Sequence, residues 1–429
     1  MGLVIKGGHL IDPANGVDGN KDLYIDAHGF VAGVGKAPSG FKAKRTIEAH
    51  GKIVCPGLVD LRARLREPGL EYKATIESEV HAAVAAGITT LCCPPDTHPV
   101  VDTPAMAQMI QSRAWRFGLT FIHPLGALTQ GLEGKRLTDM EALDEAGCVG
   151  FTNALAPVTD TLVMRRAMEY AATLDLTVFL HAEDPWLRNC GCVHEGEVGT
   201  RLGLPGIPEA AETVGVARDL ALIEQTGCRA HFCNLSSSRA VAMVAEAKRQ
   251  GLPISADVAV HHLHLSEHDI GDFNTLCHVR PPLRSVNDRK GLRKALKSGV
   301  ITAICSDHQP HEPDAKLAPF AQSEPGISAL ETLLPLTLKL VDDKLLTLSE
   351  AIALLTHKPA EIIGVETGQL NIGATADICI FDPEAIWVLT EDKLVSRGHN
   401  TPFLGWEFRG RVTHTLVGGK LVFEIGVMD

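Results

Sequence analysis

No apolar run in the chain reaches the roughly 18 residues of a membrane-spanning helix. The amino terminus lacks the basic-then-apolar stretch of a secretory signal, because Gly2-Leu3-Val4-Ile5-Lys6 is too short and runs into turn residues. Positive charge is in deficit: 40 Lys and Arg stand against 52 Asp and Glu, a net charge of −12. That balance argues against nucleic acid as the main partner and leaves room only for a local basic patch. The expectation is a cytoplasmic protein with neither membrane nor nucleic-acid contact. Eleven cysteines are present, yet Cys190-Gly191-Cys192 has no second pair at zinc-ribbon spacing. Cys55, Cys92, Cys93 and Cys305 sit inside apolar runs, where a reduced cysteine acts as a small hydrophobe.

What is there suits one large domain plus a smaller one: 429 residues, 45% hydrophobic and 21% charged. Residues 1–55 read as short strands broken by turns: Leu3–Lys6, Leu10-Ile11, Leu23–Asp26, Val31–Val34 and Thr46–Glu48. Residues 366–429 mirror them with Asp377–Phe381, Val412–Val417 and Lys420–Glu424 around Gly418-Gly419. The two ends are expected to pair into one small β-sandwich. Between them, over 56–365, strand-like runs alternate with amphipathic helices such as Ala74–Ala86, Thr159–Leu174, Ala210–Thr226 and Ser237–Gly251. The strand candidates are Gly57–Leu61, Thr89–Cys93, Thr120–Pro124, Val149–Phe151, Thr177–His181, Arg229–Cys233, Pro253–Val258 and Ile301–Ser306. Eight βα units predict an α/β fold, a (β/α)8 TIM barrel whose chemistry sits at the carboxyl ends of its strands.

The stretch that organises the rest is Asp60-Leu-Arg-Ala-Arg-Leu-Arg-Glu-Pro-Gly69, after the apolar run Ile53–Val59. Two residues apart on an extended segment, Arg62 and Arg64 share a face and put two permanent cations at the mouth of strand one. The stretch resembles the opening of the cyclic amidohydrolases, specifically the dihydroorotases, whose pattern is Pro-Gly-Leu-Val-Asp-x-His-x-His-Leu-Arg-Glu-Pro-Gly with both histidines on zinc. Pro56–Asp60 and Leu65–Gly69 match that pattern, and Arg62 and Arg64 replace the histidines.

The remaining strand ends are similar to the same family in frame but not in ligands. Cys93-Pro-Pro-Asp96-Thr-His-Pro99 places a carboxylate where the family has a substrate-binding asparagine. Asn153, in Phe151-Thr-Asn-Ala-Leu-Ala-Pro-Val158, stands for a metal-bridging aspartate. His181, in Leu180-His-Ala-Glu-Asp184, keeps a ligand position, and the segment His194–Pro208 is very close to the family's own. Asn234, in His231-Phe-Cys-Asn-Leu-Ser-Ser237, takes the place of a zinc histidine, and His231 reads as a satisfied core histidine three residues too early. His261-His262-Leu263-His264 suits loop packing or support of residues around the site rather than metal ligation. Arg280 replaces another substrate asparagine. Asp307, in Ser306-Asp-His-Gln-Pro-His311, holds the position of the metal-bound general base, and His311 and Arg66 keep substrate-contact positions.

Of six zinc positions (Arg62, Arg64, Asn153, His181, Asn234, Asp307), only His181 and Asp307 retain family ligands. A catalytic zinc takes three protein ligands and an open position, so the resemblance implies a lost zinc site, no cofactor and no catalytic residue. Asp307 is then expected to pair with Arg62 or Arg64, and Arg66, Asp96, Arg280 and His311 to line a vestigial pocket. Inactive homologues within the family assemble with aspartate transcarbamoylase. The leading expectation is therefore a non-catalytic structural or regulatory subunit of that enzyme in pyrimidine biosynthesis, a homodimer inside a larger hetero-oligomer. Two alternatives stand beside it: an active cyclic amidohydrolase with a rearranged site, and a module that binds a small anion.

Overall fold

The computed structural model describes residues 2–426. Strands from the two chain ends form two sheets. Gly2–Lys6, Leu23–Ile25, Val31–Val34 and Ala43–Glu48 make a four-stranded one. The other has six strands and draws on both ends, running Lys420–Glu424, Glu407–Val417, Ile378–Val388, Ile53–Pro56, His9–Asp12 and Val17–Asn20. Alternate apolar side chains meet in one cluster, with Leu3, Ile5, Leu23 and Ile25 from the first sheet and Leu10, Val54, Ile378, Ile380 and Leu416 from the second. The last long strands extend well past their expected limits, with a register shift between Asp382 and Ile386.

The run Ile53–Val59, expected as one strand, is two. Ile53–Pro56 pairs with Ile378–Phe381 in the end sheet, and Leu58–Asp60 is the first parallel strand. The break falls where Pro56 has no N–H to donate and Gly57 packs against strand two; a Cβ on Gly57 would lie 2.1 Å from the Thr89 hydroxyl.

The parallel strands, one to eight, are Leu58–Asp60, Ile88–Cys93, Phe121–Pro124 continued by Gly126–Ala127, Phe151–Thr152, Val178–Leu180, Ala230–Phe232, Ile254–Ala259 and Ala303–Cys305. They neighbour one another in sequence order in two hydrogen-bonded runs that meet at strand three. The continuous ring of ladders that the sequence suggests is interrupted. Among the described residues no ladder joins strands eight and one, which connect through the single bridge Ala63–His308 just beyond their ends. There the His308 N–H donates to Arg62 O at 3.1 Å and the Arg64 N–H to His308 O at 2.9 Å. Inward-facing Val59, Leu61, Cys92, Leu125, Phe179, Cys233, Ala303 and Cys305 pack together, and Ala360 and Ile363 of the helix His357–Ile363 close that cluster from the amino-terminal side.

Helices Ile76–Ala85, Thr161–Thr173, Glu209–Thr226 and Ser238–Arg249 cover the surrounding layer within a few residues of their expected limits. Thr75, Asp160 and Ser237 start three of them by accepting backbone N–H groups of the first turn, a contact typically worth about 1 kcal/mol each. No helix among the described residues is long and apolar enough to cross a membrane.

Candidate functional site

At the carboxyl ends of the strands, Arg62 and Arg64 lie in the extended segment after strand one, both almost wholly buried. Asp307, after strand eight, is the group they share. Its Oδ1 is 3.1 Å from Arg62 Nε and 3.5 Å from Arg64 Nη1, and its Oδ2 accepts from Gln309 Nε2 at 3.1 Å. Arg64 Nε also donates to Asp96 Oδ2 at 2.8 Å. Burial pushes the Asp96 carboxyl up, but Arg64 outweighs it and holds the group below the usual carboxylate range. The arginines carry more donors than these carboxylates absorb. Among the described residues Arg62 Nε and Nη2 and Arg64 Nη2 have no hydrogen-bond partner, so the Arg62–Asp307 contact is an ion pair without an aligned N–H.

Beside them Arg66 donates from Nε to Pro310 O at 2.9 Å and brings Nη2 within 3.0 Å of His311 Nε2. Lys73 Nζ lies 3.1 Å from His311 Nδ1. Burial, then the charges of Arg66 and Lys73, depress the His311 imidazole to about 2, so it is neutral. On the opposite side Glu183 gathers cations. Arg280 binds it through Nε (3.0 Å) and Nη2, and Arg188 Nε lies 3.0 Å away. Burial opposes ionisation of Glu183, yet His181 and Arg280 hold its carboxyl at about 2. His181 stands 3.7 Å from Glu183, beyond hydrogen-bond range, and neither ring nitrogen has a partner among the described residues.

The two asparagines turn to local structure. Asn153 Oδ1 accepts from Thr129 Oγ1 at 2.8 Å, and its Nδ2 donates to Leu132 O and Ala156 O, fastening the loops after strands three and four. Asn234 Oδ1 faces Cys305 Sγ at 3.0 Å, while its backbone N–H donates to Asp257 Oδ1 at 2.6 Å. Arg66 (φ 63°), Asn234 (φ 52°) and Asp307 (φ 47°) all sit in the left-handed region, strain that strand ends at functional sites commonly hold.

A profile of the Dihydro-orotase-like family matches residues 51–240, and one of the Amidohydrolase family matches residues 321–423. A "Dihydroorotase-like protein" of Pseudomonas putida is 50% identical over 98% of this chain and 99% of its own. A "Dihydroorotase" of Trichlorobacter lovleyi is 41% identical over 99% of this chain and 100% of its own. The chain belongs to the dihydroorotase-like family of amidohydrolases. Its fold is also that of the L-hydantoinase of Arthrobacter aurescens, with a TM-score of 0.88 at 23% identity over 98% of this chain and 96% of that one.

Set against the zinc positions of this family, the donor set does not suit the metal. Two guanidiniums, already ion-paired to Asp307, stand at the positions where the sequence resemblance implies two histidines. Asn153 and Asn234 spend their amides on loops and on a thiol. A different trio, His231, Cys233 and Asp257, brings potential ligand atoms within 4.8 Å of one another. It is a poor ready-made metal site, because both His231 nitrogens are engaged, by Ser255 and Asp257. Burial also pushes the Cys233 thiol far above its ordinary value.

Sequence reasoning did not select Glu183, Lys73, Gln309 or Asp257. Glu183 lay inside the quoted Leu-His-Ala-Glu-Asp motif, and its place beside a ligand position was the available signal. Asp257 had one in the charged residue breaking an apolar strand, and Gln309 lay inside the Ser306–His311 motif, whereas nothing in sequence marks Lys73.

Proposed function

We propose that this chain is a non-catalytic dihydroorotase-like barrel, flanked by a β-sandwich from its two ends, that serves as a structural or regulatory subunit of aspartate transcarbamoylase. The observation that carries this reading is Asp307 held by Arg62 and Arg64. The residue placed to act as metal-bound base is instead the anion of a buried ion-pair cluster. A carboxylate paired in this way is a weak base and, without the full ligand set, generates no hydroxide at neutral pH. With the mouth spent on ion pairs, the function falls to the outer surface, in the cytoplasm with the pyrimidine enzymes. Dimers of this chain combined with transcarbamoylase trimers close symmetrically at about six copies of each. The test is co-expression with an aspartate transcarbamoylase catalytic chain, followed by sizing and light scattering. Co-elution at that mass is expected, and separate elution at micromolar concentration overturns the proposal.

A second reading has its own observation. The unpartnered nitrogens of Arg62 and Arg64 suit a small anion such as carbamoyl aspartate, and calorimetric titration with that compound tests it. The names of the relatives favour a third, an active cyclic amidohydrolase, which stoichiometric metal together with turnover of dihydroorotate or a hydantoin would establish.

A further inference from the structure

At the opposite, amino-terminal end of the parallel strands a cavity of about 420 Å³ opens between strands five to eight and the helix His357–Ile363. Thr177, Arg229, Lys248, Ser255, Lys358 and Glu361 contribute to its lining. Ser255 is partly exposed, whereas the groups behind it are closed off from solvent. Its hydroxyl lies 2.7 Å from His231 Nδ1, and His231 Nε2 lies 2.9 Å from Asp257 Oδ2.

Strand pairing produces this line-up. His231 is in register with Ser255, and Asp257 follows two residues later on the same face of strand seven. A carboxylate only accepts, so Asp257 fixes the proton on Nε2 and leaves Nδ1 as the acceptor for the serine hydroxyl. Asp257 is itself held by the Asn234 N–H at 2.6 Å, and Phe179 packs on the imidazole with ring centroids 5.1 Å apart. The base is therefore oriented from both sides.

We propose that Ser255, His231 and Asp257 form a nucleophilic serine site, separate from the family's strand-end mouth, that accepts the acyl group of small esters carrying a negative charge. Ser255 Oγ attacks the ester carbonyl as its proton passes to His231 Nδ1. The C–O bond to the alcohol then breaks, and that proton leaves with the alcohol. Water repeats the exchange and releases the acid, so serine is regenerated without any oxidant or metal. The preference for an anionic ester rests on Arg229, Lys248 and Lys358, three cations against the one carboxylate of Glu361 in the lining, with Lys248 Nζ donating to Val300 O at 3.0 Å.

The full-length protein is treated with a fluorophosphonate, and the labelled residue is located by peptide mass spectrometry. In parallel, release of 4-nitrophenol from 4-nitrophenyl acetate and from its hemisuccinate counterpart is followed. The expected result is one label per chain, on Ser255, with faster turnover of the hemisuccinate. Ser255→Ala abolishes both label and turnover with an unchanged melting temperature, and Lys358→Gln removes the preference between the two esters. Because Asp257→Asn risks the fold, its turnover is compared at matched folded fraction and is expected to fall. Labelling at another residue, absence of label, or unchanged turnover in Ser255→Ala overturns the proposal.

Discussion

Replacing Asp307 by asparagine tests the electrostatic heart of the mouth with little change of shape. Asparagine tolerates the left-handed backbone at φ 47° and can still accept the Gln309 amide, so what disappears is the charge facing Arg62 and Arg64. Asp307 is 2% exposed and Arg62 4%, so solvent does little to screen the loss. Removing one partner of a buried ion pair costs about 3–5 kcal/mol, and the retained hydrogen bond places Asp307→Asn at the low end, about 3 kcal/mol. Asp307→Ala adds the expense of a Cβ without a polar tip in the left-handed region, roughly 1 kcal/mol more. Against a total stability of about 5–15 kcal/mol this is a large fraction. At about 2 °C per kcal/mol for a domain of this size, a melting-temperature drop of about 6 °C is expected for Asp307→Asn. Adding Arg62→Met to Asp307→Asn should recover part of it, since the stranded charge is then gone. Calorimetry and urea titration at pH 7.5 read both effects. A shift within about 1 °C of the parent for both Asp307 variants would mean that the guanidiniums are adequately solvated without the carboxylate, and the ion-pair reading of the mouth would fail.

The remaining expectations are briefer. Metal analysis of the purified protein should give no stoichiometric zinc, and Arg62→His with Arg64→His should yield no dihydroorotate turnover, because Asn153 and Asn234 still face loops and a thiol; turnover from the double variant would show those two to be misassigned. Stability should fall as pH drops below about 6.5. Burial, the first cause in each case, depresses His262 to about 4, His264 to about 3, His278 to about 4 and His311 to about 2. Each stays neutral in the fold and charges on unfolding, so its contribution is complete above about 6.5 and is lost at roughly 1.4 kcal/mol per pH unit as pH falls toward the folded value. Glu183, held at about 2, adds to the loss below about 4.5. Thermal melts from pH 7 to 4 check this, and a constant melting temperature down to pH 5 would contradict the neutral assignment.

Elements with strong local signals were legible in the sequence. Helix Thr161–Thr173 begins at Asp160 and carries a regular apolar stripe, and it lies where its pattern puts it. The run Ile53–Val59 was harder, since continuous apolar character does not reveal that half of it pairs with Ile378–Phe381 far along the chain. In the mouth, which residues stand at the strand ends could be read, because motifs fix position. Which partner each one takes could not. Glu183 collects Arg188 and Arg280, and Lys73 reaches His311, through contacts more than ninety residues apart in two of the three cases. That Ser255, His231 and Asp257 line up was invisible for the same reason, because the register between strands six and seven has no local signature.

The charges in the mouth also explain why its substitutions act as a set. Asp96 and Asp307 face Arg62 and Arg64, and Glu183 faces Arg188 and Arg280, so each carboxylate has guanidinium partners without a metal ion. Changing Arg64 alone strands Asp96 and weakens Asp307, leaving buried negative charge that must protonate or admit water. Supplying a dication without removing the arginines produces the opposite excess. Energies of neighbouring groups joined in this way are not additive. Building a metal centre in this mouth therefore requires changing at least Arg62, Arg64 and Asp96 together, and each single step is expected to lower stability before any ligand set is complete.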